Sequence, residues 1–187
     1  MIFYTGAVNI NIMKKTVIII NGAGGAGKDT VCGIIAAHYK AKSISAIDPI
    51  KSIAIHGGWE YIDKSLKARK LLSDIKLAFV EYNDLPFNHL LREYSEFIRI
   101  SNETEILIAH IREPFEIEKF KAAVSPACAC ITLLVKSDKS DSIIFGNASD
   151  DDVTNYNYDY IYENSAPLKK LEEDFMNFFE KEIKIRL

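Results

Sequence analysis

Gly22, Gly27 and Lys28 stand at the spacing G-x-x-x-x-G-K, inside the run KTVIIINGAGGAGKDT over residues 15–30. That is the spacing of a phosphate-binding loop. Glycines let the backbone curl until several N–H groups aim at one centre. The helix that follows adds the partial positive charge of its N-terminus. Lys28 supplies a full charge for the β- and γ-phosphates of a nucleotide. The stretch Gly22, Ala23, Gly24, Gly25, Ala26, Gly27, Lys28, Asp29 and Thr30 is therefore the candidate nucleotide site, with ATP as the expected occupant. A merely structural glycine turn needs neither four glycines at these positions nor a lysine.

One position departs from the usual pattern. The residue after the lysine is normally Ser or Thr, whose hydroxyl holds Mg²⁺; here it is Asp29, followed by Thr30. Mg²⁺ takes oxygen ligands, so Asp29 and Thr30 are the candidate metal ligands. A carboxylate beside a triphosphate is tolerable when the cation sits between them.

These residues need a scaffold. Val17–Ile20 is a short β-branched run, as expected of a strand buried on both faces. Further strands are expected at Ser43–Ile47, Glu105–Ile111, Ala129–Val135 and Asp159–Tyr162. Helices are expected over 28–40, from Asp48 to the break at Gly57-Gly58, over 63–82, from Pro86 to about Ser101, over Pro114–Val124 and over Leu168–Ile185. Asp48 reads as the cap of its helix and Pro49 as its first turn. Strand and helix alternate, which predicts an α/β domain of three layers: a five-stranded parallel sheet with helices on both faces. The phosphate loop after the first strand makes it a P-loop NTPase fold. A helical insertion spans about 49–101, and residues 137–157 read as a polar, lid-like loop.

An acceptor that is itself a phosphate needs basic groups. Arg112 follows the third strand at its C-terminal end, where ligands gather in open parallel sheets. A guanidinium grips phosphate at two points. Asp48, at the end of the second strand, and Lys51, one turn on, complete the candidate acceptor set, with Lys28 and Arg112 as the catalytic pair. The alternative for Arg112 is a surface arginine paired with Glu113 or Glu116, and for Asp48 a helix cap. Arg69, Arg92 and Arg99 lie in the insertion, and one could serve the transferring phosphoryl group. Trp59 could stack on a base or fill a gap between helices. Tyr156, Tyr158, Tyr160 and Tyr162 alternate, as on one packed sheet face.

The 187 residues suit one domain. A formal charge of −3 argues against nucleic acid as the main partner. No run approaches the roughly 18 apolar residues of a membrane span. Three cysteines, Cys32, Cys128 and Cys130, suit a reducing cytoplasm, with Cys128 and Cys130 as core thiols. Residues 1–13 read as an N-terminal extension before a natural start at Met13, or as a short extra strand or arm; the main domain is 14–187.

Four strings in order resemble the deoxynucleoside monophosphate kinases and their relatives. They are Gly27-Lys28-Asp29-Thr30, then Asp48-Pro49-Ile50-Lys51, then Ile111-Arg112 with Glu116 four on, and the run from Asp159 to Asn164 ahead of a helix. The resemblance runs from Lys15 to the C-terminus. It implies transfer of the γ-phosphoryl group of Mg²⁺-ATP to a (deoxy)nucleoside monophosphate, with the helical insertion covering the acceptor and the loop after the fourth strand closing over the donor. Animal-type phosphomevalonate kinases also carry G-K-D, so a phosphomevalonate or dephospho-coenzyme A acceptor is the alternative. Two departures point to a further reading, an ATP-binding regulator with little turnover. His110 stands where such kinases often have aspartate, and residues 137–157 contain no arginine.

Overall fold

The computed structural model describes residues 15–63, 65–99, 104–137 and 152–184. Five strands, β1 (Thr16–Asn21), β2 (Ala41–Ser45), β3 (Ile106–His110), β4 (Ala129–Lys136) and β5 (Tyr160–Glu163), form one sheet in the order β2-β3-β1-β4-β5. Every pairing is parallel. β1 lies at the centre with all six residues buried, which is why it reads as an unbroken apolar run rather than an alternating one.

The two faces of β1 feed different cores. Val17 and Ile19 pack with Leu107 and Ala109 under α4 (Leu85–Arg99) and α5 (Pro114–Val124). Ile18 and Ile20 pack with Ile106 and Ile108 under α1 (Lys28–His38) and a C-terminal helix, α6 (Leu171–Phe178). The expected three layers are thus present. The insertion comprises α2 (Asp48–His56), α3 (Leu66–Asn83) and α4.

Several boundaries differ from expectation. α1 stops at His38, because Tyr39 is already extended (φ −133°, ψ 155°). β2 begins two residues early and ends at Ser45, since Ala46 and Ile47 form the turn into α2. Asp48 is the first helical residue, not the cap; that place falls to Ile47, and the Asp48 carboxylate reaches back to accept the Ser45 N–H at 2.8 Å. The C-terminal helix starts as a 3₁₀ turn (Leu168–Lys170) and ends in a π-helical turn (Phe179–Ile183) that keeps Phe179 and Ile183 in the core. The tyrosines divide between faces: Tyr156 and Tyr158 belong to the α4/α5 core, Tyr160 and Tyr162 to the α1/α6 core. The extension 1–13 and most of the lid-like loop lie outside the described residues. No helix among the described residues is long and apolar enough to cross a membrane.

Candidate active site

The loop between β1 and α1 sits at the C-terminal edge of the central strand. Gly22, Gly25 and Gly27 all take positive φ (152°, 84° and 97°). A Cβ on Gly22 would lie 2.3 Å from the Val135 carbonyl oxygen, so that glycine is required by close approach to β4 as well as by conformation. Gly27 is the left-handed residue from which α1 starts, and no side chain among the described residues caps the helix. The first-turn amides of α1 are therefore left for a ligand. The ammonium of Lys28 folds back onto the loop, donating to the carbonyls of Ala23 (2.9 Å) and Gly22. The nine residues from Gly22 to Thr30 make one glycine-built cradle with a cation inside it, and the donor set fits a polyphosphate.

Two asparagines lock this cradle. Asn21 is 1% exposed; its Nδ2 donates to the Tyr158 hydroxyl (2.8 Å) and to the Arg112 carbonyl (2.9 Å), while its Oδ1 accepts the Gly22 N–H (2.8 Å). The Tyr158 hydroxyl passes the chain on to the Val153 carbonyl at 2.9 Å. Burial pushes the Tyr158 phenol up to about 12, so it remains a neutral donor. Asn164, just past β5, donates from Nδ2 to the Ala26 carbonyl at 2.9 Å. Sequence reasoning assigned a role to neither asparagine. The available signal was a polar residue closing each apolar strand.

Asp29 lies at the mouth of a cleft of about 320 Å³ with Cys32, Gly33, Ser43 and His110. Its exposed carboxylate can take an ion, and Thr30 is exposed at the next position. His110, the last residue of β3, holds its Nε2 3.1 Å from the Ser43 hydroxyl and 3.6 Å from the Cys32 sulfur. Burial lowers its pKa, and Lys28 and Lys51 act in the same direction against Asp29 and Asp48. The imidazole is neutral at pH 7 and stands between the donor and acceptor candidates. Cys32 is pushed up to about 12 by burial and by Asp29, and so stays a thiol.

On the acceptor side, the Lys51 ammonium rests 5.3 Å from the Tyr61 ring centre, and Tyr61 in turn meets Trp59 at 5.8 Å. Trp59 is thus part of the turn after α2; its indole N–H is buried with no hydrogen-bond partner among the described residues. Arg112 is exposed beyond β3, its backbone carbonyl held by Asn21. Glu113 and Glu116 converge on Lys76 of α3, at 2.7 and 2.9 Å. This is a second cluster that sequence reasoning missed. Burial raises both carboxyls. The hydrogen bond between them and the Lys76 ammonium bring Glu113 down to about 2, while Glu116 goes up to about 7. One ammonium cannot neutralise two half-buried carboxylates, so one carboxyl keeps its proton into the neutral range.

The insertion arginines are dispersed. Arg92 is engaged by His89 (3.0 Å to Nδ1) and approaches Glu93 at 3.8 Å. Arg99 ends α4 beside Phe97, whose carbonyl meets Lys15 at the opposite end of the sheet from the loop. Arg69 is half-buried in the first turn of α3. Cys128 and Cys130 pack against the α4/α5 core as expected, with thiol pKa values raised by burial.

No family profile matches the chain, and no curated protein matches it. Solved structures do. TT1252 from Thermus thermophilus aligns over 91% of this chain and 98% of its own, at 19% identity and a TM-score of 0.51. The Mycobacterium tuberculosis APS kinase, solved with AMPPNP and APS, aligns over 90% and 99% at 10% identity (TM-score 0.48). The Candida albicans thymidylate kinase aligns over 89% and 92% at 12% identity (TM-score 0.46). At these identities the likeness is one of fold. Together, the parallel five-stranded sheet and the loop define a P-loop NTPase fold.

Proposed function

We propose that this chain is an ATP-dependent kinase that moves the γ-phosphoryl group to a small phosphorylated acceptor, with a (deoxy)nucleoside monophosphate as the first candidate. The observation that carries the reading is the cradle: three positive-φ glycines, an uncapped α1 and the Lys28 ammonium turned inward. Lys28 and the loop amides neutralise the β- and γ-phosphates. Asp29, with Thr30 beside it, would hold Mg²⁺, which supplies further charge neutralisation when bound. Arg112 grips the acceptor phosphate, and Lys51 adds a second cation from α2. Asp48 holds the β2–α2 turn and faces the same space. Catalysis is then positioning and charge compensation, which is what phosphoryl transfer requires.

A phosphomevalonate or dephospho-coenzyme A type acceptor would use the same donor half. The regulator reading keeps one specific observation in its favour: a neutral His110, occupied by Ser43 and Cys32, stands where an acid is usual. The test is ADP release from Mg²⁺-ATP with a panel of nucleoside monophosphates, deoxynucleoside monophosphates, phosphomevalonate and dephospho-coenzyme A. One acceptor that stimulates release names the reaction. ATP binding without acceptor-dependent release sinks the kinase reading in favour of the regulator.

A further inference from the structure

Val17–Ile20 is apolar, and β1 then ends on a buried amide, Asn21. Its ladder with β3 stops at Ile20 and His110, whereas its ladder with β4 runs one residue further, to Asn21 and Leu134. On the β3 side the two chains part at that point. One enters the phosphate loop, and the other leads through Arg112 into α5. The Asn21 side chain bridges the gap: one Nδ2 hydrogen goes to the Arg112 carbonyl (2.9 Å), and Oδ1 takes the Gly22 N–H (2.8 Å). The other Nδ2 hydrogen goes to the Tyr158 hydroxyl (2.8 Å), which donates onward to the Val153 carbonyl (2.9 Å) in the 3₁₀ turn Asp152–Thr154. These partners fix which way the amide faces. A backbone N–H only donates and a carbonyl only accepts, so a turned amide would set like against like at both.

Three segments far apart in the sequence thus meet on one side chain, with both amide hydrogens and the amide oxygen engaged. Asn21, Tyr158 and Val153 are 1%, 8% and 3% exposed, so water cannot stand in for a bond that breaks. Buried hydrogen bonds linked in this way strengthen one another. Edge contact with Tyr156, at 4.9 Å between ring centres, steadies the Tyr158 ring. Asn164 is the contrast. Among the described residues its side chain donates to the Ala26 carbonyl, which pins the loop and passes nothing on to Arg112 or to the 3₁₀ turn.

We propose that Asn21 is a positioning residue that couples the phosphate loop to the turn at residues 111–113 and to the 3₁₀ turn, so that a nucleotide in the loop also stills these two segments. The inference rests on the nucleotide and Arg112 assignments above. The loop is preset, so a nucleotide changes its freedom rather than its shape, and that restraint passes along the hydrogen bonds. An acceptor reaching Arg112 then meets a turn already ordered, and by reciprocity the acceptor favours the nucleotide to the same degree. The link runs through the Arg112 backbone, so Arg112→Ala leaves it standing.

The experiment is amide hydrogen exchange read by mass spectrometry, with and without saturating Mg²⁺-AMPPNP, each variant's saturation being set by calorimetry. In wild type the nucleotide should slow exchange at least about fivefold in the loop, in residues 111–113 and in residues 153–158. Asn21→Ala should keep the protection of the loop and bring both remote segments to within a factor of about two of the nucleotide-free rates. Tyr158→Phe removes the hydroxyl alone, so residues 153–158 should lose the effect and residues 111–113 keep it. Asn164→Ala releases the other pin and should keep both remote effects, which separates coupling from mere support of the loop. Remote protection that survives Asn21→Ala would overturn the proposal. If that variant does not fold, Tyr158→Phe decides, and unaltered protection of residues 153–158 in it overturns the proposal equally. A wild type that binds no AMPPNP would bring down the nucleotide reading and this inference with it, whereas binding with protection confined to the loop would bring down the coupling alone.

Discussion

The proposed donor and acceptor ends of the site are built in opposite ways. The phosphate loop hangs from a strand with no exposed residue, is pinned by Asn21 and Asn164, and sets Gly22 where a Cβ would strike the Val135 carbonyl and Gly27 where one would strike the Asn164 side chain. The proposed acceptor end rests on α2 and α3, of which only Ile50, Ala54 and Ala68 are buried, and is tied to α5 by charge: Lys76 to Glu113 and Glu116, and Lys119 to Asp84. A preorganised donor half costs no reorganisation when a nucleotide arrives. A charge-tied insertion can rearrange over different acceptors, because ion pairs at a partly exposed surface contribute little net stability. Similar P-loop proteins can therefore share a loop and differ in what the insertion admits.

The largest effect should come from the rigid half. Lys28→Ala removes the cation that the loop holds and should weaken ATP binding at least about 100-fold by calorimetry, with the fold intact. Unchanged affinity would end the phosphate-loop assignment. Arg112→Ala tests the other half. It should lower kcat/KM for the acceptor about 100-fold while ATP affinity stays within a factor of two or so. A loss of ATP affinity instead would mean that the two halves are not separable as drawn.

The phosphate loop and its fold were legible in the sequence because their signal is local. Strand, glycine spacing, lysine and helix occupy sixteen consecutive residues, and each constrains the next. The five strands were legible for a similar reason, as buried parallel strands are continuous apolar runs. Their order was not, since nothing in a run such as Ile106–Ala109 says that β3 rather than β2 lies beside β1. The asparagine locks were hidden because Asn21 acts on residues 91 and 137 positions away. Pairing of Glu113 or Glu116 with Arg112 was the alternative to an acceptor role for that arginine; what the spacing could not show is that both carboxylates converge on Lys76, forty residues from Glu116. Local spacing cannot weigh a competitor from another helix. The tyrosine alternation misled in the same manner: β5 begins at Tyr160, and Tyr156 and Tyr158 approach from the other face.

The smallest effect sharpens the comparison most, because it reads the charge tie itself. In the folded chain Glu116 is raised to about 7, by burial first and then by Glu113, whereas an unfolded glutamate titrates near 4.5. Between those values the native state binds more protons than the unfolded state. Stability therefore falls as pH rises from about 5 to 7 and levels off above, where Glu116 is ionised in both states. Glu113 works in the other direction: held down to about 2, it contributes stability that is complete above about 4.5 and is lost as pH drops through the folded value. Glu116→Gln keeps the shape, leaves Lys76 paired with Glu113, and removes the surplus negative charge. Denaturant melts of this variant should be flatter between pH 5 and 7 than those of wild type, with a gain of about 1 kcal/mol at pH 8. If acceptor KM tightens or loosens over the same pH range in wild type and not in the variant, the tie between α3 and α5 also sets how the insertion closes. A KM that ignores the substitution would confine the tie to stability and leave acceptor choice to Arg112, Lys51 and Asp48.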